Sequence, residues 1–304
     1  MRPARRDLLT LLAGGMLMAG CKPAGNATPL PKPKSDRPLV IASMSVLADV
    51  AQAIGGDDLE VRSIIGPDQS AHHHDPSPKD LVGFERASLV IHVGFKLEGW
   101  VARLPESTGY RGPIVQASES IAPILVQGTI PDPHTWQSFD GLLRYARTIS
   151  KSYGEIWPHK AEAFRGRFVD FVQQLAAARE AASSALATLS SQKTLLVVPH
   201  NSFRYLGREL GLEFLAVSDL AGGTQPSAQT LAGLIDQIRQ ADAAACFIEG
   251  PGDERLMGEI ARESGARLGG RLYADALSGP DGPAATSIAM LTHNVTTIAN
   301  ALRG

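Results

Sequence analysis

The chain has 304 residues, 44% hydrophobic and 20% charged, which is room for two domains with real cores at the usual ~100–200 residues each. Its formal net charge is −2; Arg2, Arg5, Arg6 and Asp7 give the first twenty residues +2, which leaves −4 for the rest. So faintly acidic a body offers no electrostatic reason to bind nucleic acid.

The N-terminus reads as an export signal over residues 1–20. Arg2, Arg5 and Arg6 precede a short apolar run, residues 8–19, that closes on Met18-Ala19-Gly20-Cys21. Basic residues, a short apolar stretch and small residues before a cut are the marks of a secretory signal. The run falls short of the ~20 apolar residues that a membrane-spanning helix needs. Its ending resembles the lipobox of bacterial lipoproteins, which implies that Cys21 is lipidated and becomes the mature N-terminus. Arg5-Arg6 also resembles a twin-arginine export signal, although its flanking residues fit poorly. The chain has two cysteines. A lipidated Cys21 leaves Cys246 without a disulfide partner and excludes a Cys-x-x-Cys metal site. Cys246 lies in an apolar run and reads as a buried, inert thiol. Residues 21–38, rich in Pro, Lys and small side chains, suit a flexible tether.

From Leu39 strands and helices alternate. Residues 39–42, 61–65, 89–93 and 113–115 read as strands, with helices expected at 46–54 and 78–87. Such alternation predicts βα units and a mostly parallel sheet, here a first α/β lobe over residues 39–157. Residues 158–190 carry no strand signal. Phe164, Phe168, Phe171, Val172, Leu175, Leu186 and Leu189 recur on one face of a single long helix. At 1.5 Å per residue it would run about 45 Å, enough to lie along two lobes and join them. A second α/β lobe is expected over 191–304, with strands at 194–198, 213–217, 244–248 and 271–274 and helices at 227–240, 253–264 and 286–302.

Of the eight histidines, His92 falls inside a strand, and His159 and His293 fall in helical stretches; these read as structural or surface residues. The others lie where strands end. His72, His73 and His74 occupy the loop after the second strand. His134 sits in the proline-stiffened Pro131-Asp132-Pro133-His134, His200 follows a strand, and so does Asp275. In open α/β sheets ligands bind outside the carboxyl ends of strands. Imidazoles with one carboxylate make a four-coordinate set suited to Zn²⁺. In an extended loop neighbouring side chains point to opposite sides, so either His72 with His74, or His73 alone, faces the cleft.

These residues are similar to the ligand motifs of the zinc- and manganese-binding lipoproteins of bacterial ABC metal importers. The likeness runs over residues 38–304. His72-His73-His74-Asp75-Pro76-Ser77-Pro78 resembles the family's first ligand motif and selects His72. Gly94-Phe95-Lys96-Leu97-Glu98-Gly99-Trp100 resembles a further signature. Asp132-Pro133-His134-Thr135-Trp136 resembles the second ligand motif, Pro199-His200-Asn201-Ser202-Phe203 the third, and Asp275 stands where the family places its fourth ligand. The resemblance implies two α/β lobes joined by a rigid helix. It also implies a monomer without catalytic activity that delivers metal to an ABC permease. In the family, histidine at the third position goes mostly with zinc and glutamate with Mn²⁺ or Fe²⁺, so His200 favours Zn²⁺. Two departures stand out. The second motif continues with Gln137-Ser138-Phe139 in place of Leu-Asp-Pro. The long His- and acid-rich loop of many zinc members is missing before His134, which leaves His73 and His74 as accessory metal collectors. A metal-dependent hydrolase is the rival from another class, but no His-Glu-x-x-His or Gly-x-Ser-x-Gly motif is present. No partner surface for a surface adhesin is evident.

Overall fold

The computed structural model describes residues 36–67, 69–72, 74–187, 189, 195–218, 227–250 and 252–303. The export signal, Cys21, His73, most of the tether and the expected junction at residues 190–191 lie outside the described residues.

The first lobe is built on β1 (Leu39–Met44), β2 (Glu60–Ile65), β3 (Leu89–His92) and β4 (Ile114–Gln116), with helices α1 (Ser45–Gly55), α2 (Pro78–Glu85) and α3 (Leu104–Thr108). Its strands are all parallel and run in the order β2-β1-β3-β4. A two-stranded hairpin follows, β5 (Leu125–Val126) and β6 (Ile130–Pro131). Gln127 and Gly128 both have positive φ, 49° and 74°, the backbone of a type I′ turn. Helix α4 (Phe139–Ile156) then leads through one 3₁₀ turn, Pro158–Lys160, into the long α5 (Ala161–Ala187).

The second lobe repeats the plan of the first. It comprises β7 (Leu195–His200), α6 (Arg204–Leu210), β8 (Glu213–Ser218), α7 (Ala228–Gln240), β9 (Ala245–Ile248), α8 (Glu254–Ser264), β10 (Arg267–Arg271) and α9 (Ser287–Arg303). The strands are again parallel, in the order β8-β7-β9-β10. In both sheets the first and third strands of the lobe lie side by side at the centre. Their connections therefore leave in opposite directions, and a crevice opens at their carboxyl ends.

Strand alternation sorts the cores. Val40, Ala42 and Met44 of β1, Leu89 and Ile91 of β3, Leu196 and Val198 of β7, and Ala245 and Phe247 of β9 all join one large apolar cluster. Residues of opposite parity face outward: Ile41 and Val90 pack with Phe84 and Trp100, and Val197 and Cys246 pack with Ile238, Met257 and Ile260. This is the period-2 pattern of a sheet covered on both faces. The large cluster also takes Phe164, Phe171, Leu175 and Ala182 of α5, with residues of α1, α4 and α9. Thus one core runs through both lobes, and α5, at 27 residues about 40 Å long, lies along it. Burial pushes the Cys246 thiol up to about 12, as expected of an inert core sulfhydryl.

Two of the expected elements differ in extent from the sequence reading, and α3, β5, β6, α4 and α6 add to it. The last strand covers Arg267–Arg271 rather than 271–274. The register shifts between Leu268 and Arg271, where Gly269-Gly270 permits a bulge. Because β9 ends at Ile248, residues beyond Leu272 have no neighbouring strand, and the Tyr273 amide donates instead to Asn294 Oδ1. The long helix begins at Ala161, behind the 3₁₀ turn opened by Pro158, and ends at Ala187.

Candidate metal centre

Four side chains converge at the carboxyl ends of the two sheets. His72, His134, His200 and Asp275 each offer one ligand atom, and these atoms all lie within 4.8 Å of one another. His72 comes from the loop after β2 and His134 from the segment between β6 and α4. His200 is the last residue of β7, in register with Ser218 of β8, and Asp275 lies four residues beyond β10. The sequence reading named all four. His74 is not in the cluster; its Nε2 is buried without a hydrogen-bond partner among the described residues. His92 faces Glu98 at 3.6 Å, His159 sits in the 3₁₀ turn before α5, and His293 Nε2 contacts the Arg271 carbonyl at 3.1 Å.

The distances suit a small cation. His72 Nε2 and His134 Nε2 are 2.9 Å apart. Asp275 Oδ1 stands 3.3 Å from His200 Nε2, 3.7 Å from His72 Nε2 and 3.8 Å from His134 Nε2. A tetrahedron with bonds of ~2.0–2.1 Å has edges of about 3.3–3.4 Å, inside this spread. His200 Nε2 and Asp275 Oδ1 are both buried, and among the described residues neither completes a hydrogen bond. Buried polar atoms are rarely left so, and each unmade bond costs about 1–3 kcal/mol, so the pair is arranged for something other than each other.

Carboxylates behind the ring fix two of the imidazoles. Asp132 Oδ1 accepts from His134 Nδ1 at 2.7 Å and from the His134 amide at 2.9 Å. Glu249, one residue past β9, accepts from His200 Nδ1. Ionised carboxylates only accept, so each ring carries a proton on Nδ1 and directs its Nε2 at the cluster. Asp132 is itself held by Arg204 Nη1 at 3.1 Å, and the Tyr205 hydroxyl donates to its carbonyl at 2.8 Å. On the opposite side, Ser70 Oγ donates to Asp275 Oδ2 at 2.9 Å, which leaves Oδ1 as the oxygen directed at the rings.

The electrostatics follow from burial and these pairings. Burial by itself would lower His200, but Glu249 and then Asp275 reverse this and push it up to about 10. Burial would raise Asp275, yet His200, His72 and His134 hold it far below the usual carboxylate range. Burial does raise Glu249, with His200 pulling the other way. Asp132 lies below its ordinary value because His134 and Arg204 outweigh burial.

Asp132, Glu249, Ser70 and Arg204 were not singled out in the sequence. Asp132 had a readable signal, two residues before a loop histidine. So had Glu249, at the end of a strand on the crevice side.

Residues 40–301 match the family described as zinc-uptake complex component A, periplasmic. Among curated relatives, the iron-binding protein YfeA of Yersinia pestis is 28% identical, over 96% of this chain and 94% of its own. The manganese-binding lipoprotein MntA of Halalkalibacterium halodurans is 26% identical, over 86% of this chain and 88% of its own. The periplasmic zinc binding protein TroA from Treponema pallidum superposes with a TM-score of 0.81 at 24% identity, covering 88% of this chain and 99% of that one. The Mn-bound periplasmic metal binding protein from Candidatus Liberibacter asiaticus gives a TM-score of 0.80 at 23% identity, over 88% of this chain and 100% of that one.

Proposed function

Since the chain belongs to the periplasmic zinc-uptake component A family, whose members are extracytoplasmic lipoproteins that bind a divalent transition metal for ABC importers and are not enzymes, we propose that its cargo is Zn²⁺. The ligands are His72 and His134 from the first lobe and His200 and Asp275 from the second. Cys21 carries the lipid anchor, residues 21–38 are the tether, and residues 39–157 and 191–304 form the lobes on either side of the 158–190 segment that carries α5. The monomer hands its ion to the membrane permease.

The observation that carries the choice of metal is the state of Asp275. Its Oδ2 accepts from Ser70 Oγ at 2.9 Å, while Oδ1 is the oxygen that faces all three imidazoles, a one-oxygen presentation. Three imidazoles and one monodentate carboxylate make a closed four-coordinate set. That set suits Zn²⁺, whereas Mn²⁺ prefers more oxygen ligands and higher coordination. A closed set also leaves no position for an activated water, as fits carriage rather than hydrolysis. The second reading is Mn²⁺ or Fe²⁺, which the names of the YfeA and MntA relatives favour.

Affinity alone separates these readings poorly, because most nitrogen and oxygen sites hold Zn²⁺ above Mn²⁺. Coordination number separates them better. The purified protein is loaded with Co²⁺ and its visible spectrum recorded, alongside elemental analysis of the protein as isolated. An intense four-coordinate Co²⁺ spectrum and co-purified zinc are expected. A weak six-coordinate spectrum, or co-purified manganese or iron, would overturn the zinc assignment.

A further inference from the structure

The residue at which the second ligand motif departs from its family lies closer to the metal ligands than its place in the chain indicates. Gln137 is fully buried. Its side-chain amide donates to the Ala274 carbonyl at 2.6 Å and the Tyr273 carbonyl at 2.8 Å, the two residues that precede Asp275. Trp136 Nε1 donates to the same Ala274 oxygen at 2.7 Å. Asn294 of α9 closes the arrangement. Its Nδ2 donates to Tyr273 O at 2.8 Å and to Gln137 Oε1 at 3.3 Å, while its Oδ1 accepts from the Tyr273 amide at 2.8 Å. Trp136 and Gln137 stand two and three residues after His134, so two ligands from different lobes are joined by a buried polar lattice.

From this geometry we infer that Gln137 is a positioning residue for the metal site, fixing the backbone that presents Asp275 relative to the segment that presents His134. The physical need is clear. Residues 273–275 run beyond the sheet, with no neighbouring strand among the described residues to hold them, and β10 ends in a bulge. A carboxylate on such a segment keeps its orientation only if the backbone carbonyls find partners elsewhere. Gln137 supplies two of those donors in a buried, low-dielectric setting, where a satisfied network is rigid and a broken one leaves orphaned acceptors. Leucine, the residue that the motif resemblance leads one to expect here, would fill similar space but donate nothing.

This inference rests on the proposed ligand set. Its test is a double-mutant cycle of Gln137→Leu and Asp275→Asn, reading Zn²⁺ dissociation constants by chelator competition. Gln137→Leu alone is expected to weaken Zn²⁺ binding about 10–100-fold, as loss of an outer-shell partner does. In the Asp275→Asn background the same change is expected to cost less than threefold, because the group it positions no longer binds as a carboxylate. An equal loss in both backgrounds, or a Gln137→Leu protein within twofold of wild type, would overturn the inference. If Gln137→Leu does not fold, Asn294→Asp runs in the same cycle with the same outcomes, since it removes the Nδ2 donor while keeping the acceptor for Tyr273. Should the wild-type protein bind no divalent metal, it is the proposed function that fails; normal wild-type binding with an unaffected variant sinks the positioning role alone.

Discussion

His72 Nε2 and His134 Nε2 stand 2.9 Å apart, although 62 residues separate them in the chain. Two ring nitrogens this close repel if both present lone pairs or both carry protons, so they are compatible only when one proton or one cation lies between them. Asp132 holds the His134 proton on the far side of its ring, which turns its lone pair inward.

Removing one of the pair should therefore do more than delete a ligand. His134→Ala also takes the ring donor from buried Asp132, which keeps only the residue-134 amide and Arg204. Zn²⁺ affinity is expected to fall by more than the roughly 10–100-fold typical of an outer-shell loss, with His200→Ala similar. Chelator competition measures this; a loss under tenfold for either variant would remove that residue from the ligand set.

Asp132→Asn and Glu249→Gln probe the carboxylates behind the rings. Each substitution keeps the shape but removes the charge that holds the imidazole proton on Nδ1. A drop in Zn²⁺ affinity of about 10–100-fold is expected for each, with the four-coordinate Co²⁺ spectrum retained. Asp132→Asn should also be the less stable of the two, because it weakens the link to Arg204 at 3.1 Å. Thermal unfolding of the apo proteins compares them.

Proton release should accompany binding well above neutrality. With Glu249 and Asp275 beside it, His200 is pushed up to about 10 from its ordinary 6.5. Its folded-state value is raised, so the stability it lends the apo protein is fully present below about 6.5 and is lost as pH rises through about 10. A cation on Nε2 must displace that proton, so Zn²⁺ affinity should climb with pH across the same window. Calorimetry at pH 7.5 in buffers of different ionisation enthalpy counts the protons released. About one proton from His200 is expected, and its loss in His200→Gln assigns it.

The four clustered side chains were legible because each follows a strand and three are histidines in short, proline- or strand-anchored motifs. What lies behind them was not. Gln137 meets Ala274, and Asp132 meets Arg204 and Tyr205, across separations of about 70 to 140 residues that no local pattern encodes. Helix α4 is absent from the sequence reading, although Ser138 caps it, accepting from the Gly141 amide, and Phe139, Leu142, Tyr145, Ala146, Ile149 and Tyr153 recur at helical spacing. The last strand was placed too late because Arg271 to Ala274 has the composition of a strand, while the real one spends two residues on the glycines of a bulge. The long helix was legible from its period alone, and its partners in the shared core were not.

Gly141 tests how tightly the second ligand motif is held. A Cβ there would run into the Thr135 carbonyl oxygen and lie 2.8 Å from Ser138 Oγ. Thr135 adjoins His134, so Gly141→Ala must displace the ligand segment or the first turn of α4. Destabilisation of about 1–3 kcal/mol or more is expected from such overpacking, together with weaker Zn²⁺ binding. Urea unfolding and chelator competition on the same sample check both; normal stability and affinity would mean that the turn relaxes freely.

Glu98 tests whether the crevice end of the first sheet depends on a buried charge. Its carboxylate accepts from Ser43 Oγ at 2.6 Å and from the Val93 and Gly94 amides at 2.8 and 3.1 Å. It thereby braces a turn in which Gly94, Phe95 and Lys96 all have positive φ, two of them at the strain of a non-glycine residue. Burial alone would raise its pKa, but His92, Ser43 and the Val93 amide outweigh that and hold it below 4.5. A depressed folded-state value means stability that is present above about 4.5 and lost as pH falls through the folded value. Glu98→Gln should cost about 1.5–3 kcal/mol at pH 7, the range for hydrogen bonds to a charged group. The gap between wild type and variant should close on acidification below the folded value. Urea unfolding from pH 7 to pH 3 follows it, and a gap that stays constant across that range would show that the charge contributes nothing to the brace.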